Sequence, residues 1–286
     1  MNRRLAMLVA VGIIVVAVLL GLYYWGAWLE SEATRRRLDD AARFLLDRFN
    51  PELQLVSEAP EAAPDVYWLV SDNLLAQRVL REYFPDIGDK IRSMLVELAG
   101  IYGLPTNSEG LPISHKHEAV LGYEVPLPFN ITNFYEWKIG DSYTIKTEVL
   151  NNTERMTDWQ EYVDGLCYAS LTRHYQNNTI GARYYFNIAA SMWDGKGMAD
   201  KGFWWVNSSS CGKYETYKLA LLLFTSKVIG EELDYERELC SRIWECQHKN
   251  GGIITHYLPD GTPDPKADAN SETTALVLLA EPRAMP

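Results

Sequence analysis

The sequence predicts a mainly α chain: an N-terminal transmembrane helix, then stacked helical hairpins interrupted by a small β insertion. Three observations carry that prediction. No charged residue occurs from Leu5 to Leu29. Four later segments open on polar groups and then become apolar on nearly every side, as buried helices do. The segments between them carry apolar residues three and four apart, the mark of helices with one wet face.

The charge-free run comes first. At about 1.5 Å per residue it exceeds the ~30 Å hydrocarbon core of a bilayer. It follows Arg3 and Arg4 and ends in Tyr23, Tyr24, Trp25 and Trp28, a cluster suited to the headgroup belt. A cleaved signal peptide has a shorter apolar region and a small-x-small cleavage site, of which Gly26-Ala27 is a poor version. The chain therefore divides into an anchor over 1–29 and a domain over 30–286. Arg35, Arg36 and Arg37 beyond the run leave its orientation open by charge alone. The glycosylation sequons at Asn130, Asn151, Asn177 and Asn207 decide it, predicting a single-pass cell-membrane protein with its C-terminal domain extracytoplasmic.

The helices follow in order. Residues 33–49 (LDDAARFLLDRF) are amphipathic, and the proline-rich, acidic stretch 50–66 is irregular. A helix over 71–83 opens on Ser71-Asp72-Asn73 and then turns apolar. An amphipathic helix over 87–102 stops at Gly103. Residues from about 117 to 150 alternate and carry turn residues, which predicts strands. A helix over 158–176, with Asp158 as its N-cap, contains the apolar body EYVDGLCYASL; one over 179–192 is amphipathic. Residues 214–229 (YETYKLALLLF) form an apolar helix ending at Gly230, and 232–247 an amphipathic one. The last helix, 270–280, is capped by Asn270 and contains SETTALVLLA.

Buried and amphipathic helices thus alternate about every 50 residues, with the β insertion lengthening one interval. Hairpins that cannot bury their apolar faces alone must stack on one another. The stretch Gln247-His-Lys-Asn-Gly251-Gly252-Ile253 joins an outer helix to an inner one. It resembles the Q-x-x-x-G-G-aromatic turns of (α/α) toroids, the architecture of terpenoid cyclases, prenyltransferase β-subunits and six-hairpin glycosidases, with Ile253 in place of the aromatic residue. The resemblance covers about 200 residues of architecture and implies an incomplete α/α toroid, since eight helices are fewer than the ten to twelve of complete rings.

Composition and motifs exclude several chemistries. A formal charge of −11 argues against nucleic-acid binding. The loop MWDGKGMADKGFWW at 192–205 has neither the oxygen ligands of a calcium loop nor the Lys-Ser/Thr of a phosphate-binding loop. The D-x-D-D acid of squalene–hopene cyclase-like enzymes, the zinc set of prenyltransferases, G-C-G-E-Q, G-x-S-x-G and H-E-x-x-H are all absent. No cofactor and no metal site are expected; His115, His117 and His256 are a scattered trio. Cys167, Cys211, Cys240 and Cys246 fit either disulfides or buried thiols. The oligomeric state is not fixed.

In such toroids the inner helices' N-termini and the incoming turns share one mouth, where ligands bind. That implication gathers Asp72, Asn73, Tyr162, Asp164, Glu215, Tyr217, Lys218, Asn270, Glu272 and Thr273, with Trp68, His115, His117, Trp193, Asp194, Asp200, His256 and Tyr257 from the loops. Carboxylates at helix N-termini are also favourable without any function, because unpaired N–H groups face them. Glycoside hydrolysis needs two carboxyl groups, and Glu215, Glu272 and Asp72 are the candidates, with the rest contacting substrate. Nine tryptophans and seventeen tyrosines supply faces for sugar rings as well as core. A polysaccharide lyase would instead use Tyr217 or His256 as its base. The competing expectation is a non-catalytic cell-surface protein that binds a glycan or assembles with other surface components.

Overall fold

The computed structural model describes residues 32–113 and 116–281. The expected anchor over 1–29 and His115 lie outside the described residues. Among the described residues no helix is long and apolar enough to cross a membrane. By internal contact the chain divides into Met1–Asp39 and Asp40–Pro286. In the first unit, Arg35 and Arg36 both pair with Glu32, at 2.8 and 3.5 Å.

The architecture is mixed rather than mainly α, with nine α-helices and three small sheets among the described residues. The helices are α1 (32–47), α2 (Asp72–Tyr83), α3 (Pro85–Tyr102), α4 (Val163–Tyr175), α5 (Thr179–Ala190), α6 (Lys201–Trp204), α7 (Thr216–Ile229), α8 (Glu236–Glu245) and α9 (Ser271–Ala280). Eight of them correspond to predicted helices, with ends shifted by a few residues. Only the one-turn α6 was not predicted; it lies inside the glycine-rich loop, where Asp200 accepts from the Gly202 N–H and starts it.

Helix ends follow the local chemistry. Asn270 caps α9 by accepting the Thr273 N–H at 2.9 Å. Gly103 and Gly230 end α3 and α7 in the left-handed region that glycine adopts without strain. Asp158 does not cap α4. It precedes a 3-10 turn at Trp159–Glu161, and its carboxylate instead receives Lys201 Nζ at 2.8 Å.

Packing follows from pattern. In α7 residues from Lys218 to Leu223 are all buried, and α9 is buried along nearly its whole length, so neither has a solvent face. In α3 the buried positions Ile91, Leu95, Leu98 and Ala99 are three and four apart, leaving the other faces wet. The buried helices lie side by side: α9 packs on both α2 and α7, and α7 packs on α4. Around them α3 covers α2, α5 covers α4 and α8 contacts α7.

The Gln247–Ile253 turn ties an outer helix to this inner set. Gln247 pairs with Ile253 across it, and the Ile253 N–H donates to Thr274 Oγ1 at 3.0 Å. Gly251 has φ +91°, and a Cβ there would lie 2.2 Å from the Asp40 carbonyl oxygen. Both its conformation and its surroundings require glycine.

The strands are β1 (Phe49–Asn50), β2 (Leu55–Val56), β3 (Val66–Trp68), β4 (Asn130–Ile139), β5 (Tyr143–Arg155), β6 (Tyr214–Glu215) and β7 (His256–Tyr257). The predicted insertion becomes the β4–β5 hairpin, but it starts later than 117; residues His117–Leu121 form a 3-10 helix. Strand β3 begins at the end of the stretch read as irregular and pairs parallel with β5, Val66 to Thr144 and Trp68 to Lys146. That pairing joins the insertion to the chain just ahead of α2.

The four cysteines are free thiols. Cys167 and Cys246 are buried, and Cys211 is exposed. Of the sequon asparagines, Asn177 and Asn207 are exposed and Asn151 is partly so. Asn130 is buried, with its amide oxygen held by Arg155.

Candidate functional site

The N-terminal turns of all four buried helices open on one cleft of about 340 Å³. Asp72 comes from α2, Asp164 from α4, Tyr217 from α7 and Glu272 from α9. Tyr168, one turn along from Asp164 and on the same helix face, also lines it. The remaining walls come from outside the helices. Glu58 and Trp68 precede α2, Phe134 and Glu148 lie on the hairpin, and Lys116 and His117 begin the 3-10 helix.

Asp72 forms part of the wall and is 2% exposed. Its Oδ1 accepts from Ser71 Oγ at 3.0 Å, whereas its Oδ2 is buried without a partner. Burial, then the charges of Glu272 and Glu58, raise its pKa well above the ordinary carboxylate range. Burial and the neighbouring acids thus favour the protonated form of Asp72.

Glu272 is held differently. His117 Nε2 donates to its Oε1 at 2.7 Å, and the His117 ring meets Tyr168 edge-on at 5.9 Å. Burial works against charge on His117, but the hydrogen bond and charge of Glu272 outweigh it, and the imidazole pKa is raised. His117 Nδ1 is buried and unpaired, like Asp72 Oδ2. Two orphaned polar atoms on residues lining one cleft are what a polar ligand satisfies.

The other groups set its polarity. Lys116 lies 3.8 Å from Asp164; burial disfavours its charge, yet Asp164, Glu148 and Glu272 together raise its pKa. Loss of solvation, followed by nearby acids, raises the phenols of Tyr168 and Tyr217 well above their usual range, so both keep their protons. Trp68 donates its indole N–H to Glu58 Oε2 at 3.0 Å and packs edge-on to Phe134 at 5.7 Å. The Trp68 ring is thereby fixed beside the acids.

Six of the sequence candidates line this cleft: Trp68, Asp72, His117, Asp164, Tyr217 and Glu272. His256 and Asn270 line a second cleft that shares Glu58. The others are engaged in holding the fold. Asn73 is fully buried, accepting the Val56 N–H at 2.7 Å and donating to the Val56 and Trp68 carbonyls. Lys218 is buried between Asp200, at 2.7 Å, and Glu215, with the Tyr162 and Tyr217 rings each 5.8 Å from its Nζ. Asp200 also accepts the Val163 and Gly202 N–H groups, so one carboxylate starts both α4 and α6.

Glu215 is thus an ion-pair partner of Lys218, and Asp72 takes the place beside Glu272 that sequence reasoning gave it. The glycine-rich loop is a turn. Asp194 accepts the Lys196 and Gly197 N–H groups and the Tyr214 hydroxyl, Trp193 stacks on Tyr235 at 4.9 Å, and Tyr257 is buried with its hydroxyl on the Lys196 carbonyl.

Glu58, Ser71, Lys116, Phe134, Glu148 and Tyr168 were not anticipated at the site. Tyr168, four residues from Asp164 in one helix, and Ser71, next to Asp72, were legible; Phe134 and Glu148 lie on the hairpin, which pairs with distant β3. No group of His, Cys, Asp and Glu among the described residues is arranged to hold a metal ion. Comparison with known protein families, curated proteins and solved structures gives no match to the chain.

Proposed function

We propose that this chain is a membrane-anchored, extracytoplasmic α/α-toroid protein whose cleft acts on carbohydrate as a glycoside hydrolase. The single observation that carries the reading is the pair of unlike carboxyl groups in one cleft beside a fixed indole: Asp72 is buried, which disfavours its charge, and Glu272 is paired with His117. Glycosidases need such a division between a proton donor and a second carboxylate.

In this reading Asp72 donates its Oδ2 proton to the glycosidic oxygen as the C–O bond breaks. Glu272 faces the developing oxocarbenium charge and either activates water or forms the glycosyl bond itself. Trp68 stacks on an apolar sugar face. A lyase is less well supported: of its two candidate bases, Tyr217 holds its proton and His256 lines the second cleft rather than the one with the acids.

A glycan-array screen of the purified full-length chain, followed by product analysis of each hit, tests the proposal. Asp72→Asn and Glu272→Gln are each expected to lower kcat about 10²–10⁴-fold, the usual worth of a positioned acid or base. Full turnover by Asp72→Asn would overturn it. The anchor is tested by fractionation: a soluble product lacking the first ~27 residues would contradict a spanning helix of about 20 residues or more.

A non-catalytic glycan-binding or assembly role draws on one observation, the near-complete burial of Asp72. A proton donor below a cleft wall can orient a ligand hydroxyl without cleaving anything. Binding without turnover in the same screen would select that role.

A further inference from the structure

The cleft at the four helix starts holds more acid than base. Five carboxyl groups line it, those of Glu58, Asp72, Glu148, Asp164 and Glu272, against the bases Lys116 and His117. Protonation of Asp72 still leaves four acids facing two bases. Burial, then Glu272 and Glu58, push Asp72 towards that protonated form. Burial disfavours the charge on Lys116, but Asp164, Glu148 and Glu272 outweigh it. Both groups thus sit in a negative potential.

Cations just beyond the walls do not redress the balance. Lys218 lies between Asp200 and Glu215. Lys146 is 3.7 Å from Glu136, with its Nζ 5.6 Å from the centre of the Trp68 ring. Lys266 belongs to no ion pair among the described residues, but it is an exposed residue of the second cleft and not of this one. Glu58 is matched by none of them. It is half-buried, its Oε2 accepts the Trp68 indole N–H at 3.0 Å, and no basic side chain among the described residues pairs with it. A carboxylate fixed beside an indole, with Phe134, Tyr168 and Tyr217 in the same walls, is the chemistry that takes up an ammonium group.

We propose that the ligand of this cleft is an amino sugar with a free ammonium group, bound through Glu58 beside Trp68. This rests on the carbohydrate reading above and adds to it the charge class of the sugar. An N-acetylated ring has lost the cation, and a uronate brings a charge that the acid excess repels. The excess serves the reaction too, because the oxocarbenium-like transition state is itself cationic. Burial, which contributes most to the protonated form of Asp72, persists when the ligand neutralises Glu58.

Calorimetric titration of the full-length chain with matched sugars separates this inference from the reading beneath it. The probes are short oligomers of glucosamine and of galactosamine, their N-acetylated and hydroxyl counterparts, oligogalacturonates and oligolysine. One amine series is expected to bind about tenfold or more tighter than its two uncharged counterparts, a preference that shrinks as salt rises. Glu58→Gln keeps an oxygen for the Trp68 indole and the main-chain bonds of residue 58 to Val66 and Ser271, and should remove that preference. Glu97→Gln takes the same charge from an exposed position on α3 and should leave the preference intact, which separates the cleft from the net charge of the chain. The wild-type comparisons stand even where a variant fails to fold. An uncharged series or the oligogalacturonates binding as tightly as the amines would overturn the inference alone. So would a preference that survives Glu58→Gln or is lost equally in Glu97→Gln. Failure of every sugar to bind, or tighter binding of oligolysine than of any sugar, would overturn it together with the carbohydrate reading.

Discussion

Replacing Lys218 with methionine tests what holds the cleft's helix starts together. The Lys218 side chain is 3% exposed and that of Asp200 1%, with Nζ 2.7 Å from Asp200 Oδ2 and in contact with Glu215. Methionine fills similar volume but removes the cation, leaving the Asp200 carboxylate buried without a counter-charge. Breaking such a pair from one side costs about 3–5 kcal/mol. Asp200 keeps its bonds from the Val163 and Gly202 N–H groups, which places the expected loss at the lower end, about 3 kcal/mol. For a domain of this size each kcal/mol moves Tm by about 2–4 °C, so the variant should melt about 6–12 °C below wild type. The sign with pH is fixed by the raised Lys218 pKa. Burial opposes the charge, but Glu215, Asp164 and Asp200 outweigh it. A lysine whose pKa is raised on folding contributes fully below its unfolded value of about 10.4, so the deficit should be constant from pH 5 to 9. Urea and thermal melts of Lys218→Met, Asp200→Asn and the double variant measure it. The double variant should recover part of the loss, because the orphaned charge is gone. A Lys218→Met variant within about 1 kcal/mol of wild type, or strictly additive single changes, would refute the reasoning.

Three further outcomes follow from the geometry. Asp72→Asn should stabilise the fold at pH 7 and match wild type near pH 3: the folded pKa of Asp72 is raised, so the native acid loses stability as pH climbs above its unfolded value of about 3.9. Urea melts at both pH values check this, and a less stable variant at pH 7 contradicts it. His117→Gln should cost more at pH 5.5 than at pH 9, because the raised His117 pKa makes its pairing with Glu272 strongest below the unfolded value of about 6.5 and weaker as pH rises through the folded one. Gly251→Ala should destabilise by about 1–3 kcal/mol or more, through both the positive φ and the clash with the Asp40 carbonyl, and a silent substitution in a thermal melt would refute that account.

What could be read in the sequence was whatever repeats at short range. The apolar bodies of α7 and α9 have no wet face and their polar starts are two to four residues long, which pattern alone predicted; that those starts gather was what the resemblance to toroids implied. Asp72, Asp164, Tyr217 and Glu272 do line one cleft. Glu215 was legible as an acid at a helix start but not as a partner of Lys218, because the choice depends on where Asp200 arrives from a different loop. The residues that sequence reasoning missed share another cause. Glu58 and Glu148 come together through the parallel pairing of a three-residue strand with a distant one, and no local periodicity encodes a partner. Strands β6 and β7 are two residues each, below the length at which alternation can be recognised.

The pairing of β3 with β5 also has a kinetic side. Its partners lie about 80 residues apart, and closing a loop of that length costs roughly 4 kcal/mol of chain entropy before any contact forms. Only three residue pairs answer for that loop, while the helical hairpins α2–α3 and α4–α5 close over short connections. Local hairpins should therefore form early and the sheet late. Trp68 and Phe134 ride on that sheet, so the aromatic wall of the cleft is the part completed last and released first. Native-state amide exchange should find residues 66–68 and 144–146 opening well below the free energy that protects α7 and α9.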